Sequence, residues 1–176
     1  MIPENVQVDV MVVGGGIAGM QTALDLADQG YRVALVEREA SIGGKMIALS
    51  KVFPTLDCCS CITTPKMSVV VHHENIHLLT YCDIQSVHEN AEGFVAEVLK
   101  KPRYVIEEDC TRCRQCEYAC PIDLPSAFDL GLGAHRAIRV PFSTALPQKA
   151  VIWKKERKEP ESKSDGRKKP EPAGLK

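Results

Sequence analysis

Val6 to Val13, "VQVDVMVV", is a mostly apolar run that ends in three glycines. A run apolar on both faces predicts a central strand of a parallel sheet. Ile17, Met20, Leu24 and Ala27 then recur at helical spacing, and Gly30 stands where such a helix would stop. Arg32 to Val36 predicts the next strand and closes a strand–helix–strand unit of about 30 residues. From Ser41 to Pro65 the pattern loosens into a long loop with short helical pieces. "NIHLLTYCDIQSVHEN" and "GFVAEVL" predict two or three strands joined by a polar turn at Glu92 and Gly93. "AIRVPF" and "AVIW" are short strand candidates further on.

The glycines give the first unit a chemistry. Gly14, Gly16 and Gly19, with Gly15 among them, form G-x-G-x-x-G between a predicted strand and a predicted helix. In that context the first glycine makes the tight turn, the second admits a pyrophosphate, and the third lets helix and strand pack closely. The free N–H groups at the helix start would meet the phosphate. Glu37, at the end of the second strand, stands where an acidic residue can accept hydrogen bonds from a ribose hydroxyl. The motif alone does not separate FAD from NAD. The following "SIGG", with Gly43 and Gly44, resembles the FAD-binding half of the two-dinucleotide flavoproteins.

The sharpest signal is "CTRCRQCEYACP". Cys110, Cys113, Cys116 and Cys120 are separated by two, two and three residues and followed by Pro121. This spacing suits a 4Fe–4S cluster, whereas four-thiolate zinc sites usually come as two separated C-x-x-C pairs. In two-cluster ferredoxins the last cysteine serves the other cluster. Cys120 therefore either closes one cluster with its neighbours or reaches toward a second motif. Arg112 and Arg114, between the ligands, would offset part of a cluster's negative charge or lie solvated. A second group, "LDCCSCITTP", contains a C-x-x-C at Cys58 and Cys61, which fits a redox dithiol or two ligands of a further cluster. Cys82 is the candidate to join them; for it and Cys59 the alternative is a small buried core residue.

The chain has 176 residues, eight cysteines, 44% hydrophobic residues and a net charge of -1. That balance gives no reason to expect nucleic acid or a membrane surface as partner. No apolar run approaches the roughly 20 residues that span a bilayer. "MIPENVQVDV" lacks the basic and apolar segments of a signal peptide, so the expected location is the cytoplasm, where clustered cysteines hold metal or do redox work. Residues 154–176 hold nine Lys or Arg, five Asp or Glu, three prolines and no aromatic residue, which predicts a disordered charged tail. The expected fold class is α/β, a Rossmann-like FAD-binding βαβ unit with a β-meander and an inserted ferredoxin-like 4Fe–4S segment. Its parts would be 1–103, a partial FAD-binding domain; 104–153, the cluster segment and return to the flavoprotein fold; and 154–176, the tail.

"VGGGIAGMQTALDLADQGYRVALVERE", "SIGGKM", "FPTLDCCSCITTPKM", "KPRYV", "CTRCRQCEYACP" and "FDLGLGAHRAIRVPF" resemble, in this order, the A subunit of heterodisulfide reductase. The resemblance runs from about Val8 to Trp153. It implies a thioredoxin-reductase-like flavoprotein of methanogens and other anaerobes, passing electrons between FAD, cubane clusters and partner subunits. Those partners would be the reductase's other redox subunits or hydrogenase- and dehydrogenase-linked ones. The family's FAD loop falls on Gly14, Gly16, Gly19 and Glu37, with Gly43, Gly44 and Lys45 alongside; Gly15 and Arg38 complete the candidate cofactor-binding set. Its inserted cluster falls on Cys110, Cys113, Cys116 and Cys120. Cys59 stands where the family has serine. The family's second ferredoxin motif, the later flavoprotein half and the preceding domain are missing, which suggests a shortened or split version. Electron transfer needs no side chain as general acid or base, so no catalytic residue is expected. The rival reading is a truncated, non-enzymatic cluster-binding module without stably bound flavin.

Overall fold

The computed structural model describes residues 5–91 and 93–153. Glu92 of the expected turn and the charged segment from Lys154 lie outside them.

Three parallel strands form the centre, β1 (Val10–Val13), β2 (Val33–Glu37) and β3 (Ile76–Thr80), in the order β1-β2-β3. Val10 sits opposite Val33, and Val33 opposite Ile76. All five residues of β2 are buried, so β2 is the central strand. The apolar run at the amino end predicted that place for β1, which instead pairs with β2 alone among the described strands. It is only half-buried and ends at an exposed Val13. Apolarity reads burial, and a strand covered by helices on its faces can still lie at an edge.

Helix α1 (Ile17–Asp28) crosses from β1 to β2 and buries Met20, Ala23, Leu24 and Ala27, one stripe at 3.6-residue spacing. Gly30, with φ of 92°, takes the left-handed turn that ends it. Helix α2 (Cys59–His72) takes the last seven residues of Ser41–Pro65, expected to be a long loop with short helical pieces, and runs on past Pro65 as one continuous helix. Proline in a helix interior and β-branched neighbours both argue against a helix locally. Tertiary packing outweighs them here, because Cys59, Thr63, Met67 and Val70 form a buried stripe. Met67 and Val70 join Met20, Leu35, Ile42 and Ile76 in the core.

Strands β4 (Cys82–Asn90) and β5 (Gly93–Lys100) form an antiparallel hairpin, largely exposed toward its tip. Beyond it lies the cysteine segment with the short helix α3 (Gln115–Ala119). Two small antiparallel pairs brace it, β6 (Asp123–Pro125) with β7 (Ala134–Arg136), and β8 (Ile138–Arg139) with β9 (Val151–Ile152). Arg103 joins the two regions. Its side chain is 1% exposed; one Nη donates to Ala40 O and Thr80 Oγ1, both at 2.8 Å, and Nε lies 3.4 Å from Glu107 Oε2. Among the described residues, no helix is long and apolar enough to cross a membrane.

Candidate cofactor sites

The glycine turn lies between β1 and α1, at the carboxyl ends of the parallel strands where ligands bind in open α/β sheets. Gly15 N–H donates to Glu37 Oε2 at 2.6 Å, and Glu39 N–H donates to Glu37 Oε1 at 2.7 Å. The buried carboxylate is thus fixed by two backbone donors and keeps lone pairs for a further donor. Gly43 N–H donates to Gly15 O at 2.7 Å, so "SIGG" lies against the turn. A Cβ on Gly44 would stand 2.8 Å from Gly16 Cα, and one on Gly19 would drive into the Gly14 carbonyl oxygen. At Gly16 a Cβ would meet nothing within 4 Å. The fold therefore packs tightly round Gly19 and Gly44 and leaves open space over Gly16, which is the cradle a pyrophosphate requires.

The structure brings Gly14, Gly15, Gly16, Gly19, Glu37, Gly43 and Gly44 together. Arg38 and Lys45 flank them as exposed side chains. A cleft of about 350 Å³ opens beside Glu37 and Arg38, and Cys82, Asp83 and Ile84 from the start of β4 form its other wall. Asp83 and Ile84 were not candidates from the motif, because nothing local marks the strand that will reach the first βαβ unit. Cys82 is buried and donates its S–H to Thr80 O at 3.3 Å. Burial pushes its thiol above the ordinary pKa, against the pull of Lys100 and Arg103.

Cys58 caps α2, and Cys61 N–H donates to its Sγ at 3.4 Å. Both side chains are exposed. The Cys61 thiol, aided by the N–H groups of Cys61 and Ser60 and by Lys51, holds Cys58 below the usual thiol pKa. Cys61 is raised, chiefly by its hydrogen bond to Cys58 and by the neighbouring negative charge. Cys59 is fully buried in the helix stripe, as a core residue. Among the described residues no three His, Cys, Asp or Glu side chains converge as they would around a single metal ion, and this holds for Cys58, Cys61 and Cys82 as it does for Cys110, Cys113 and Cys116.

Cys110, Cys113 and Cys116 line a cavity of about 400 Å³ whose walls include Ile106, Ile138 and Val140. Donors spread round a cavity suit a cubane, which is larger than one ion, and soft thiolates suit iron–sulfur. Arg112 and Arg114 both take left-handed backbone, with φ of 61° and 62°, so the chain reverses between successive cysteines. Ala150 N–H donates to Cys110 Sγ at 3.4 Å, and Lys149 Nζ donates to Cys110 O at 3.2 Å. Cys120 is not among the residues lining the cavity. Its S–H donates to Ile122 O at 3.6 Å, and backbone N–H groups, that of Ile122 foremost, lower its pKa.

With both sites in view, two sequence families match them in turn: FAD dependent oxidoreductases over residues 9–53 and the 4Fe-4S binding domain over residues 103–125. The iron-sulfur A subunit of the CoB--CoM heterodisulfide reductase from Methanocaldococcus jannaschii is 52% identical over 149 residues, which cover 83% of this chain and 23% of that protein.

The chain is a relative of the heterodisulfide reductase A subunits.

The A subunit of the H(2)/formate:CoB-CoM heterodisulfide,ferredoxin reductase from Methanococcus maripaludis is 50% identical over 150 residues, covering 83% of this chain and 23% of the relative. A protein of Archaeoglobus profundus, described as like the A subunit of heterodisulfide reductase, is 48% identical over 145 residues, 81% of this chain and 21% of the relative. The chain thus spans less than a quarter of the length of these heterodisulfide reductase relatives. The two family matches name the cofactor classes as FAD and a 4Fe–4S cluster, and the α/β architecture agrees with the expected fold class.

Proposed function

We propose that this chain is an electron-transfer part of a heterodisulfide-reductase-like oxidoreductase, working between FAD and a 4Fe–4S cluster. FAD is assigned to Gly14, Gly15, Gly16, Gly19, Glu37, Arg38, Gly43, Gly44 and Lys45, within a partial FAD-binding domain of residues 1–103. The cluster is assigned to Cys110, Cys113, Cys116 and Cys120, within residues 104–153. Cys82 is assigned to the wall of the FAD cleft, while Cys58 and Cys61 remain a dithiol available to a further redox centre.

The observation that carries the reading is the short hydrogen-bonded route between the two sites. Leu146 bonds to Ser41 and Ile42 in the loop that covers the glycine turn. Four residues later, Ala150 donates to Cys110 Sγ. FAD exchanges electrons in pairs or singly and a cluster takes one at a time, so the two together convert between those modes. The chain's own part is to bind, orient and shield. The turn's N–H groups would meet phosphate, Glu37 would accept from a ribose hydroxyl, and Ile106, Ile138 and Val140 would give the thiolates an apolar wall. No side chain acts as general acid or base.

The donor and acceptor are further redox subunits of the kind named for the relatives, which include hydrogen-, formate- and ferredoxin-linked heterodisulfide reductases. The proposed location is the cytoplasm. Anaerobic purification of the full chain, with iron, sulfide and flavin quantified, tests the proposal. FAD together with about four iron and four sulfide per chain is expected. Iron without flavin would favour a cluster-binding module, and zinc without iron would end both readings.

A further inference from the structure

Three cationic side chains line the cavity of Cys110, Cys113 and Cys116: Arg112, Arg114 and Arg139. Two of them are engaged elsewhere. Arg112 donates to Gln148 Oε1 at 2.7 Å and to Ser143 O at 2.6 Å. Arg114 donates to both carboxylate oxygens of Glu117, at 2.9 and 3.2 Å, so its charge is largely offset. Arg139 is held differently. One Nη donates to Pro141 O at 2.8 Å, and the guanidinium stacks over the Trp153 ring at 5.1 Å. Trp153 is itself fixed, by its backbone N–H to Ala137 O at 2.8 Å and by His135 against its ring at 5.7 Å. The buried Nε–H of Arg139 has no acceptor among the described residues.

A buried donor without an acceptor is costly and points to a partner beyond the protein atoms. The cavity beside it is lined by the thiols and apolar side chains together with Asp109, Thr111, Gln115 and Glu117; the Glu117 and Asp129 carboxylates offset part of the Arg139 charge, and the guanidinium stays charged at any working pH. We propose that Arg139 faces the bound cluster and sets its reduction potential, with Trp153 and Pro141 holding the guanidinium at the cavity wall. This rests on the reading that Cys110, Cys113 and Cys116 hold a 4Fe–4S cluster. Reduction adds one negative charge, so a fixed cation at the cavity wall stabilises the reduced form more than the oxidised one. Net charge and hydrogen bonds to sulfur are two of the levers that set cluster potentials. Arg139 supplies both, as a positioning residue that ligates nothing.

The test is an EPR-monitored redox titration of the anaerobically purified full chain, beside Arg139→Gln and Arg139→Lys, with iron per chain and circular dichroism as controls. Arg139→Gln should keep its iron and titrate at a more negative potential than wild type, and Arg139→Lys should recover most of the difference. A glutamine variant with full iron and an unchanged potential overturns the proposal. If Arg139→Gln loses its cluster, the lysine variant decides: wild-type potential supports the role of charge, and a potential well below it overturns that role. Folded protein without iron in both variants would also overturn it, since the guanidinium would then act in assembly. A wild-type chain that binds no cluster fails the proposed function and removes the basis of this inference with it.

Discussion

Ser41 and Leu146, 105 residues apart, are joined through one hydroxyl group: Leu146 N–H donates to Ser41 Oγ at 2.9 Å, and that hydroxyl has Leu146 O at 3.0 Å and Ile42 O at 2.9 Å as acceptors. Ser41 is 5% exposed. The segment that returns from the cluster region thereby seats the loop over the glycine turn, and an alteration in either should reach the other.

Ser41→Ala removes the side-chain partner of the part-buried Leu146 N–H. A buried donor left unpaired costs about 1–3 kcal/mol, and a comparable loss of stability is expected in thermal unfolding. Flavin content per chain should fall with it. A variant of unchanged stability and flavin content would disconnect the loop from the return segment.

Gly16→Ala and Gly19→Ala should separate cofactor from fold. Open space surrounds the position of a Cβ on Gly16, so that variant should melt within about 1 kcal/mol of wild type when flavin-free, yet bind FAD poorly. On Gly19 the added carbon meets backbone, and overpacking of this kind costs about 1–3 kcal/mol or more. Melting curves and flavin absorbance of the two purified proteins read the contrast, and equal flavin content in both would refute the assignment of Gly16.

The cysteines should not be equivalent. Cys113→Ser or Cys116→Ser strikes the cavity itself and should remove most of the iron and the cluster absorbance. Cys120→Ser removes the ligand that lies outside the lining and should retain more of the iron than either. Iron analysis and EPR of the reduced proteins check this; complete loss in Cys120→Ser would make its thiolate indispensable.

Cys58 should be alkylated at lower pH than Cys61 in the reduced protein. The Cys61 donors favour the Cys58 thiolate, so its midpoint lies below the ordinary thiol value, while that of Cys61 lies above it. Cys61→Ala takes away the leading donor and should move the Cys58 profile upward. Mass spectrometry of iodoacetamide-treated protein across pH resolves the two sites, and coincident profiles would contradict the geometry.

Legibility followed the range of the interactions. The turn at Gly14–Gly19 and the acid at Glu37 were readable because a βαβ unit is local, its strand, turn and helix contiguous in the chain. The cysteine run was readable because its ligand spacing is itself the signal. Helix α2 was hidden, since Pro65, Thr63 and Thr64 obey local propensity only until the Cys59–Val70 stripe finds its core. Asp83, Ile84 and Arg139 were hidden for a related reason. Each is one polar or apolar residue in a strand, and only folding brings it to a candidate cofactor cavity.

Arg103 carries a mechanical consequence. Its guanidinium is enclosed by a carbonyl from the loop after β2, a hydroxyl from the end of β3 and a carboxylate on the approach to the cysteines. Opening either lobe would strand that positive charge without its partners, at a cost of several kcal/mol. The sheet and the cysteine-bearing lobe should therefore melt in a single cooperative transition rather than peel apart in stages.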